Sequence, residues 1–250
     1  MRTAIVIPMH NEEKIARESM TTILPYLRQL PAEVKLVVID DGSLDRTRMI
    51  LEQCRAQDPD RLVLIVHERN KGYGAALRTG VTFAAENGFE YILFMDSDLT
   101  NHPKYLKDFY EKISQGYDYI KANRYAPGAG VSGVPWQRRA VSLVGNKVAR
   151  MLFGLPIHDL TNGFRAVKTS LIKDIRLTEN GFAIIMEELC LLKPVVRSYA
   201  EIPYVLTSRS KGQGKTHFTY DLKTYFSYLK YAVKSMVRPR PIAQTKKGKT

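Results

Sequence analysis

The first 120 residues alternate short apolar runs with longer stretches whose apolar positions recur at helical spacing. "TAIVIPMHN" (3–11) is a buried-strand pattern that turns polar at its end, and "EEKIARESMTTILPYL" (12–27) follows as a helix. "KLVVIDDGS" (35–43) predicts a second strand ending in acid. "LDRTRMILEQCRA" (44–56) predicts a helix with Ser43 or Asp45 at its N-cap. "LVLIVHE" (62–68) is a third strand, and "GYGAALRTGVTFAAENG" (72–88) a helix stopped by Gly88. "YILFMDSD" (91–98) is a fourth strand. "PKYLKDFYEKISQG" (103–116) opens on a first-turn proline and puts Leu106, Phe109, Tyr110 and Ile113 on one face.

Strands this uniformly apolar, each followed by a helix, imply an α/β fold with a mostly parallel central sheet covered on both faces. Ligands of such sheets bind beyond the carboxyl ends of the strands. Three of those ends carry polar loops, "PMHNEE", "DDGSLD" and "DSDLTNHP", which are expected to converge on one cleft.

Beyond residue 122 the rhythm loosens. "NRYAPGAGVSGVPWQRR" (123–139) reads as a long loop of the kind that forms lids. "RRAVSLVGNKVARMLFG" (138–154) reads as a basic helix, "NGFRAVK" and "EIPYVLTS" as strands, and "FAIIMEELCLL" as a helix between them. The expected organisation is a nucleotide-binding half (1–120) and an acceptor-side half (121–217) in one domain. An amphipathic helix (218–237) and a basic tail (238–250) complete the chain.

Composition changes this picture mainly through charge. The net charge is +13 over 250 residues, and it is unevenly placed. Residues 201–250 hold 11 Lys/Arg against 2 Asp/Glu, and residues 121–176 hold 10 against 2. The remainder is mildly acidic, so the second half is suited to a polyanionic partner: nucleic acid, anionic lipid or phosphate groups. Two cysteines, Cys54 and Cys190, fit neither a zinc spacing nor a disulfide framework and are expected to be buried hydrophobes. The N-terminal apolar run is too short for a signal peptide. No run reaches the roughly 18–20 apolar residues that span a bilayer. The chain is therefore expected to be cytoplasmic and at most peripheral to a membrane.

The chemistry concentrates at the strand ends. Residues i and i+2 of an extended segment share a side, so Asp96 and Asp98, with Ser97 between, are expected to face one way. Two such carboxylates suit a hard cation, Mg²⁺ or Mn²⁺, that completes its shell with substrate phosphates. At least one of Asp40 and Asp41 is placed to accept from base N–H or ribose hydroxyls, the plainer reading being turn acids that bond their own backbone in "DDGS". Arg124, Arg138, Arg139, Arg209, Lys211 and Lys215 stand in loops or at helix starts where they can reach phosphates. Asp159, Asn162 and Arg165 surround Gly163 in "DLTNGFRAVK", which reads equally as a turn before an edge strand or as the lining of an ionic site. "GAGVSG" lacks the strand–helix context of a dinucleotide loop, and "KGQGKT" has Arg209 where a phosphate loop needs its first glycine. The helix at 220–237 suits core or oligomer packing and, equally, an anionic membrane surface.

"VIPMHNEE", "VIDDGSLDRT", "ERNKGYGAALRTG", "FMDSDLTNHP", "DLTNGFR" and "SRSKGQGK" together resemble the blocks of family 2 glycosyltransferases, from about residue 3 to 216. The similarity is greatest to the dolichyl-phosphate mannosyltransferase group of polyprenyl-phosphate sugar transferases. The resemblance implies a GT-A fold and an inverting transfer from a nucleotide diphosphate sugar to a polyprenyl phosphate, with Mg²⁺ or Mn²⁺. Pro8, His10, Glu12, Asp40, Asp41, Lys71, Gly72, Asp96, Ser97, Arg209 and Lys215 would then bind the nucleotide sugar. Asp96 and Asp98 would hold the metal, with Thr100 or Asn101 in place of the glutamine common in the family. Arg124, Arg138, Arg139 and Arg165 would dock the acceptor phosphate. Asp98, Asp159, Arg124 and Arg139 would stand nearest the reaction. Expected partners are the donor, the lipid, an anionic membrane surface, and a membrane subunit or second copy; nucleic acid is not among them. Two other readings remain open: a hydroxyl acceptor with Asp159 or Glu187 as base, and a basic nucleic-acid-binding protein.

Overall fold

The computed structural model describes residues 1–131, 136–207 and 222–237, with the side chains of 136–141 and 222–225 outside that description. The polar and apolar rhythm of the first half folds as expected. Strands β1 (Thr3–Met9), β2 (Val34–Asp40), β3 (Leu62–Val66) and β4 (Tyr91–Phe94) alternate with helices α1 (Ala16–Leu27), α2 (Thr47–Gln57) and α3 (Tyr73–Glu86). A single turn at Pro103–Tyr105 leads into α4 (Leu106–Ser114), which buries Leu106, Phe109 and Ile113. Gly88 ends the α3 region in the left-handed conformation (φ 68°) that glycine adopts without a Cβ penalty.

The second half contributes β5 (Tyr119–Asn123), β6 (Gly130–Val131), α5 (Trp136–Phe153), β7 (Arg165–Lys168), α6 (Thr169–Ile172), α7 (Ile184–Leu192), β8 (Tyr199–Pro203), β9 (Val205–Leu206) and α8 (Leu222–Met236). Seven strands form one sheet in the order β3-β2-β1-β4-β7-β5-β8, and β6 pairs with β9 in a separate parallel ribbon. β7 runs antiparallel between β4 and β5, with Phe94 opposite Arg165 and Lys121 opposite Arg165 on the other side. The other pairings of the large sheet are parallel.

Two of these features differ from the sequence reading. β5 is a full sheet strand where none is expected, because Lys121 and Asn123 interrupt its apolar pattern although both are buried. The long loop after Asn123 is shorter at its far end, since α5 already begins at Trp136, and the β6–β9 pairing holds its middle.

Strand alternation divides the core cleanly. Ala4, Val6, Val37 and Ile39 face α3, α5 and α7, whereas Ile5, Ile7, Leu36 and Val38 face α1, α2 and α4. Both faces are sealed, as a parallel sheet requires. Cys54 and Cys190 are both buried, as expected, and burial raises the Cys54 pKa. No described helix is long and apolar enough to cross a membrane.

Candidate functional site

β1 is flanked by β2 on one side and β4 on the other, so strand order reverses there and a crevice opens beyond their carboxyl ends. Three loops meet at it. The backbone N–H of Asn11 donates to Ser43 Oγ (2.9 Å), and Leu44 N–H returns a bond to Asn11 Oδ1 (2.8 Å). Glu12 N–H donates to Thr47 Oγ1 (2.8 Å), and Glu13 N–H to Asp45 Oδ2 (3.1 Å). The third loop is tied in by Ser19 of α1, whose hydroxyl donates to the Ser97 carbonyl. Asp45 also accepts from Thr47 N–H (2.9 Å), doing a cap's work just ahead of α2.

The two acids after β2 are used differently. Asp41 accepts from Lys71 N–H (2.9 Å), Gly72 N–H (2.8 Å) and His67 Nδ1 (2.6 Å). Its carboxylate therefore builds the loop that opens α3. Gly72 (φ 95°) and Gly74 permit that loop's close approach to 179–180: a Cβ on Gly74 would lie 2.1 Å from the Glu179 carbonyl. Asp40 is fully buried, with Oδ1 accepting from Ser43 N–H (3.1 Å) and Oδ2 without a hydrogen-bond partner among the described residues. Buried polar atoms are rarely left so, and Asp40 Oδ2 is an open acceptor at the carboxyl end of β2. His10 Nδ1 is likewise buried and unpartnered. Pro8 belongs to β1 itself, opposite Ile39, one strand residue short of the loop.

β4 ends at Phe94, and Ser97–Asp98 form a turn rather than a strand continuation. The extended backbone from which a shared direction is expected is therefore absent at Ser97–Asp98. Asp96 accepts from the Tyr73 hydroxyl (3.2 Å) and from Asn101 Nδ2 (3.1 Å). Asp98 Oδ1 accepts from Thr100 N–H (3.1 Å) and Thr100 Oγ1 (2.6 Å). Asn101 is buried and its Oδ1 has no partner among the described residues, leaving an oxygen ligand open beside Asp96. Among the described residues no three His, Cys, Asp or Glu side chains gather as a complete metal cage. The donor set fits a hard cation of the kind that takes one or two carboxylates and fills its shell with phosphate and water.

Tyr73 is the residue that sequence reasoning missed. Burial first, then Asp96, raises its phenol pKa well above the ordinary value, so it stays a hydrogen-bond donor. Its ring packs on Phe182 at 4.5 Å between centroids. Nothing in "KGYGAAL" marks it, because its partners are 23 residues away in Asp96 and on a different loop in Phe182.

In the second half of the chain, Arg124 and Asp159 form a bidentate pair: Nε to Oδ2 at 2.6 Å and Nη2 to Oδ1 at 2.8 Å. Arg124 N–H adds a third bond to Oδ2 (3.1 Å), and Nη2 also donates to Thr161 Oγ1 (3.0 Å). Arg165 is fully buried. It pairs with Glu188 through Nε (2.8 Å) and Nη2 (2.5 Å), donates Nη1 to the Gly163 carbonyl (2.8 Å), and stacks on Phe94 at 4.3 Å. Arg165 thus fixes the turn at Gly163, where a Cβ would lie 3.3 Å from both Asp96 Oδ2 and the Tyr73 hydroxyl. Glu187 is occupied too, accepting from Thr178 N–H and hydroxyl and from Glu179 N–H (2.6–3.0 Å). The side chains of Arg138 and Arg139 in α5, and Arg209, Lys211 and Lys215, lie outside the described residues. Thr207, two residues before Arg209, donates its N–H to the Thr100 carbonyl (3.2 Å), which brings that segment's start to the Asp98 turn.

Comparison with known proteins accords with this geometry. The model of the family described as Glycosyl transferase family 2 matches residues 4–176. The chain is 31% identical over 218 residues to "Polyprenol monophosphomannose synthase" of Mycolicibacterium smegmatis, covering 86% of this chain and 80% of that protein. It is 30% identical over 209 residues to "Dolichyl-phosphate hexose transferase" of Haloferax volcanii, covering 83% of each. It is 27% identical over 219 residues to "Undecaprenyl-phosphate mannosyltransferase" of Micrococcus luteus, covering 86% of this chain and 87% of that one. Among solved structures, glucosyl-3-phosphoglycerate synthase from Mycobacterium tuberculosis, in complex with Mn²⁺, UDP and glucosyl-3-phosphoglycerate, superposes with a TM-score of 0.64. Its identity is 18%, with 95% of this chain and 80% of that one covered. The same enzyme in complex with Mg²⁺ and UDP gives 0.64. At that identity the likeness speaks for the fold, which is of the GT-A type. With a family match spanning well over half of its residues and a relative above 30% identity along most of its length, the chain belongs to glycosyl transferase family 2 and is a glycosyltransferase.

Proposed function

We propose that the chain transfers a sugar, mannose in the first instance, from a nucleotide diphosphate sugar to the phosphate of a polyprenyl phosphate, with inversion at the anomeric carbon. The names of its relatives support the lipid phosphate and the mannose. The UDP and Mn²⁺ or Mg²⁺ held by fold neighbours support the donor and the cation.

The observation that carries the acceptor is the closed fork of Arg124 on Asp159. A hydroxyl acceptor needs a carboxylate to take its proton. Both candidates, Asp159 and Glu187, already have their oxygens committed to internal donors. A phosphate monoester has its second pKa near about 6, so it arrives ionised and needs no base. It does need cations: Arg124 is held as one, and Arg138 and Arg139, whose side chains lie outside the described residues, would add to it.

Asp96 and Asp98 would hold Mg²⁺ or Mn²⁺, with Asn101 or Thr100 as neutral oxygen donors. When bound, the cation supplies Lewis-acid neutralisation of the leaving diphosphate. Asp41 keeps the Lys71–Gly72 loop in place for the donor, and Asp40 Oδ2 accepts from its base or ribose. Pro8, His10, Glu12 and Ser97 would belong to the same donor site, and Arg209 and Lys215, which lie outside the described residues, would meet the phosphates. An acceptor oxygen attacks the anomeric carbon as the sugar–phosphate bond breaks. Its electron pair leaves on the nucleoside diphosphate, and no proton has to move. The enzyme acts at the cytoplasmic face of a membrane as a peripheral protein, in one catalytic unit spanning 1–217.

The test is incubation with GDP-mannose and a UDP-sugar panel, Mn²⁺ or Mg²⁺, and a short polyprenyl phosphate. Lipid-linked sugar and free nucleoside diphosphate are expected in equal amounts. Folded protein that yields no product with any donor, or that prefers simple sugars as acceptors, refutes the reading.

A further inference from the structure

α8 has two faces with different neighbours. Its inner face is sealed: Tyr231, Ala232 and Ser235 are buried. Ser235 Oγ donates to the Leu152 carbonyl of α5 (3.3 Å), and its own carbonyl accepts from Lys193 Nζ (2.6 Å). The outer face carries Phe226 (67% exposed), Leu229, Val233, Met236 and Val237 at helical spacing. α5, which packs against α8, leaves a second exposed apolar row of Leu143, Val144, Val148 and Met151 (74%).

Neither helix contains an acidic residue. Exposed Lys147, Arg150 and Lys234 stand among the apolar side chains. This combination selects the occupant. Two copies of the face brought together would oppose cation to cation, whereas an anionic headgroup layer matches the lysines and receives the apolar row beneath it.

The inner face leads back to the donor site. The Tyr231 hydroxyl donates to Glu179 Oε1 (2.6 Å), to which Lys230 Nζ also donates (3.1 Å). The Glu179 carbonyl accepts from Arg78 of α3, and the Asn180 carbonyl from Gly74 N–H (2.8 Å), next to the loop that Asp41 holds. In parallel, the Tyr228 hydroxyl donates to the Phe182 carbonyl (3.4 Å), Phe182 packs on Tyr73, and Tyr73 donates to Asp96. Two short chains of contacts thus join the helix with the exposed apolar row to the α3 loop and to an aspartate of the candidate metal pair.

We infer that the exposed rows of α8 and α5 are a docking surface for an anionic lipid bilayer, and that seating α8 there steadies the donor loop and Asp96 through Glu179, Phe182 and Tyr73. This deepens the polyprenyl-phosphate reading by naming the surface that brings the enzyme to its lipid.

The experiment uses the full chain and two readouts. Sedimentation with vesicles of phosphatidylcholine alone, or mixed with phosphatidylglycerol, measures docking without donor or acceptor. Binding of GDP and UDP with Mn²⁺ is then measured with and without the anionic vesicles. Wild type is expected to bind only the anionic vesicles. Phe226→Glu and Val233→Glu, both solvent-exposed substitutions, are each expected to weaken that binding about tenfold or more. They should leave nucleotide binding in vesicle-free buffer unchanged. Anionic vesicles should tighten nucleotide binding of wild type and not of the variants.

Absence of vesicle binding, or vesicle binding indifferent to both substitutions, overturns the surface. A dimer in sedimentation equilibrium that Phe226→Glu dissolves also overturns it, making a second copy the occupant. Docking without any change in nucleotide affinity overturns the coupling. A chain that docks but makes no lipid-linked sugar refutes the proposed function and leaves the surface standing.

Discussion

Arg124 closes on Asp159 with three hydrogen bonds, two from the guanidinium and one from its own backbone N–H, and the carboxylate is wholly buried. The aspartate is thus a mount for the arginine. Burial lowers the guanidinium pKa, but the charge and hydrogen bonds of Asp159, with smaller contributions from Tyr204 and Tyr125, together more than offset it, so Arg124 stays charged.

Asp159→Asn tests that mount. The variant keeps the shape but leaves a largely buried guanidinium without its counter-charge, a change that costs about 3–5 kcal/mol in comparable pairs. Urea unfolding is expected to show a lower midpoint at unchanged slope. Transfer activity should fall as well, because Arg124 is no longer held in one orientation.

Lys121 predicts a pH dependence. Its side chain is fully buried, its Nζ has no hydrogen-bond partner among the described residues, and burial, followed by Arg165, lowers its pKa to about 7. Asp159 and Glu188 offset part of this and Arg124 adds to it. In the unfolded chain a lysine titrates near about 10.4, so between these values the unfolded state binds the extra proton. Stability therefore rises with pH from about 7 toward 10, by on the order of 1 kcal/mol per unit at most. It is fully penalised below 7, where both states are protonated. Lys121→Met should flatten that slope and stabilise most in acid, with the advantage shrinking toward pH 10. Urea midpoints across that range check it, and parallel curves for the two proteins would refute it.

Gly163→Ala should injure function with little cost in stability. The new Cβ would stand 3.3 Å from Asp96 Oδ2 and the Tyr73 hydroxyl, close enough to shift the carboxylate by a few tenths of an ångström. A full ångström of misplacement costs up to about 10²-fold, so a loss of about tenfold in transfer is expected. Mn²⁺-dependent nucleotide binding should weaken, while thermal unfolding stays near wild type.

Asp98→Ala removes one of the two candidate metal carboxylates. Its described hydrogen bonds, to Thr100, are local, so the fold should persist. Transfer is expected to drop by about 10²–10³-fold, the scale of losing one charge-stabilising group at a reacting centre. Activity retained at the wild-type level would remove Asp98 from the metal site.

The first half was largely legible from residue pattern. Strands β1 to β4 are continuous apolar runs and the helices between them have clear periodicity, because each strand there is buried on both faces. The clustering of acids at the ends of β2 and β4 was readable for the same reason: parallel strands deliver their C-terminal loops to one edge. β5 escaped notice because Lys121 and Asn123 look like solvent positions, and only the strand inserted beside it and the helices above it make them interior.

Chain order and hydropathy alone determined an α/β sheet with polar loops at one end and a basic second half, since burial pattern and charge placement are local properties of the sequence. The three-dimensional arrangement decided which acid builds a loop and which stays vacant, Asp41 or Asp40. It also decided that Arg165 supports a turn, and that Tyr73 and Phe182 stand between α8 and Asp96. Those assignments depend on contacts between residues tens of positions apart. β7 reaches β4 across more than 70 residues, and no local pattern encodes a partner at that distance.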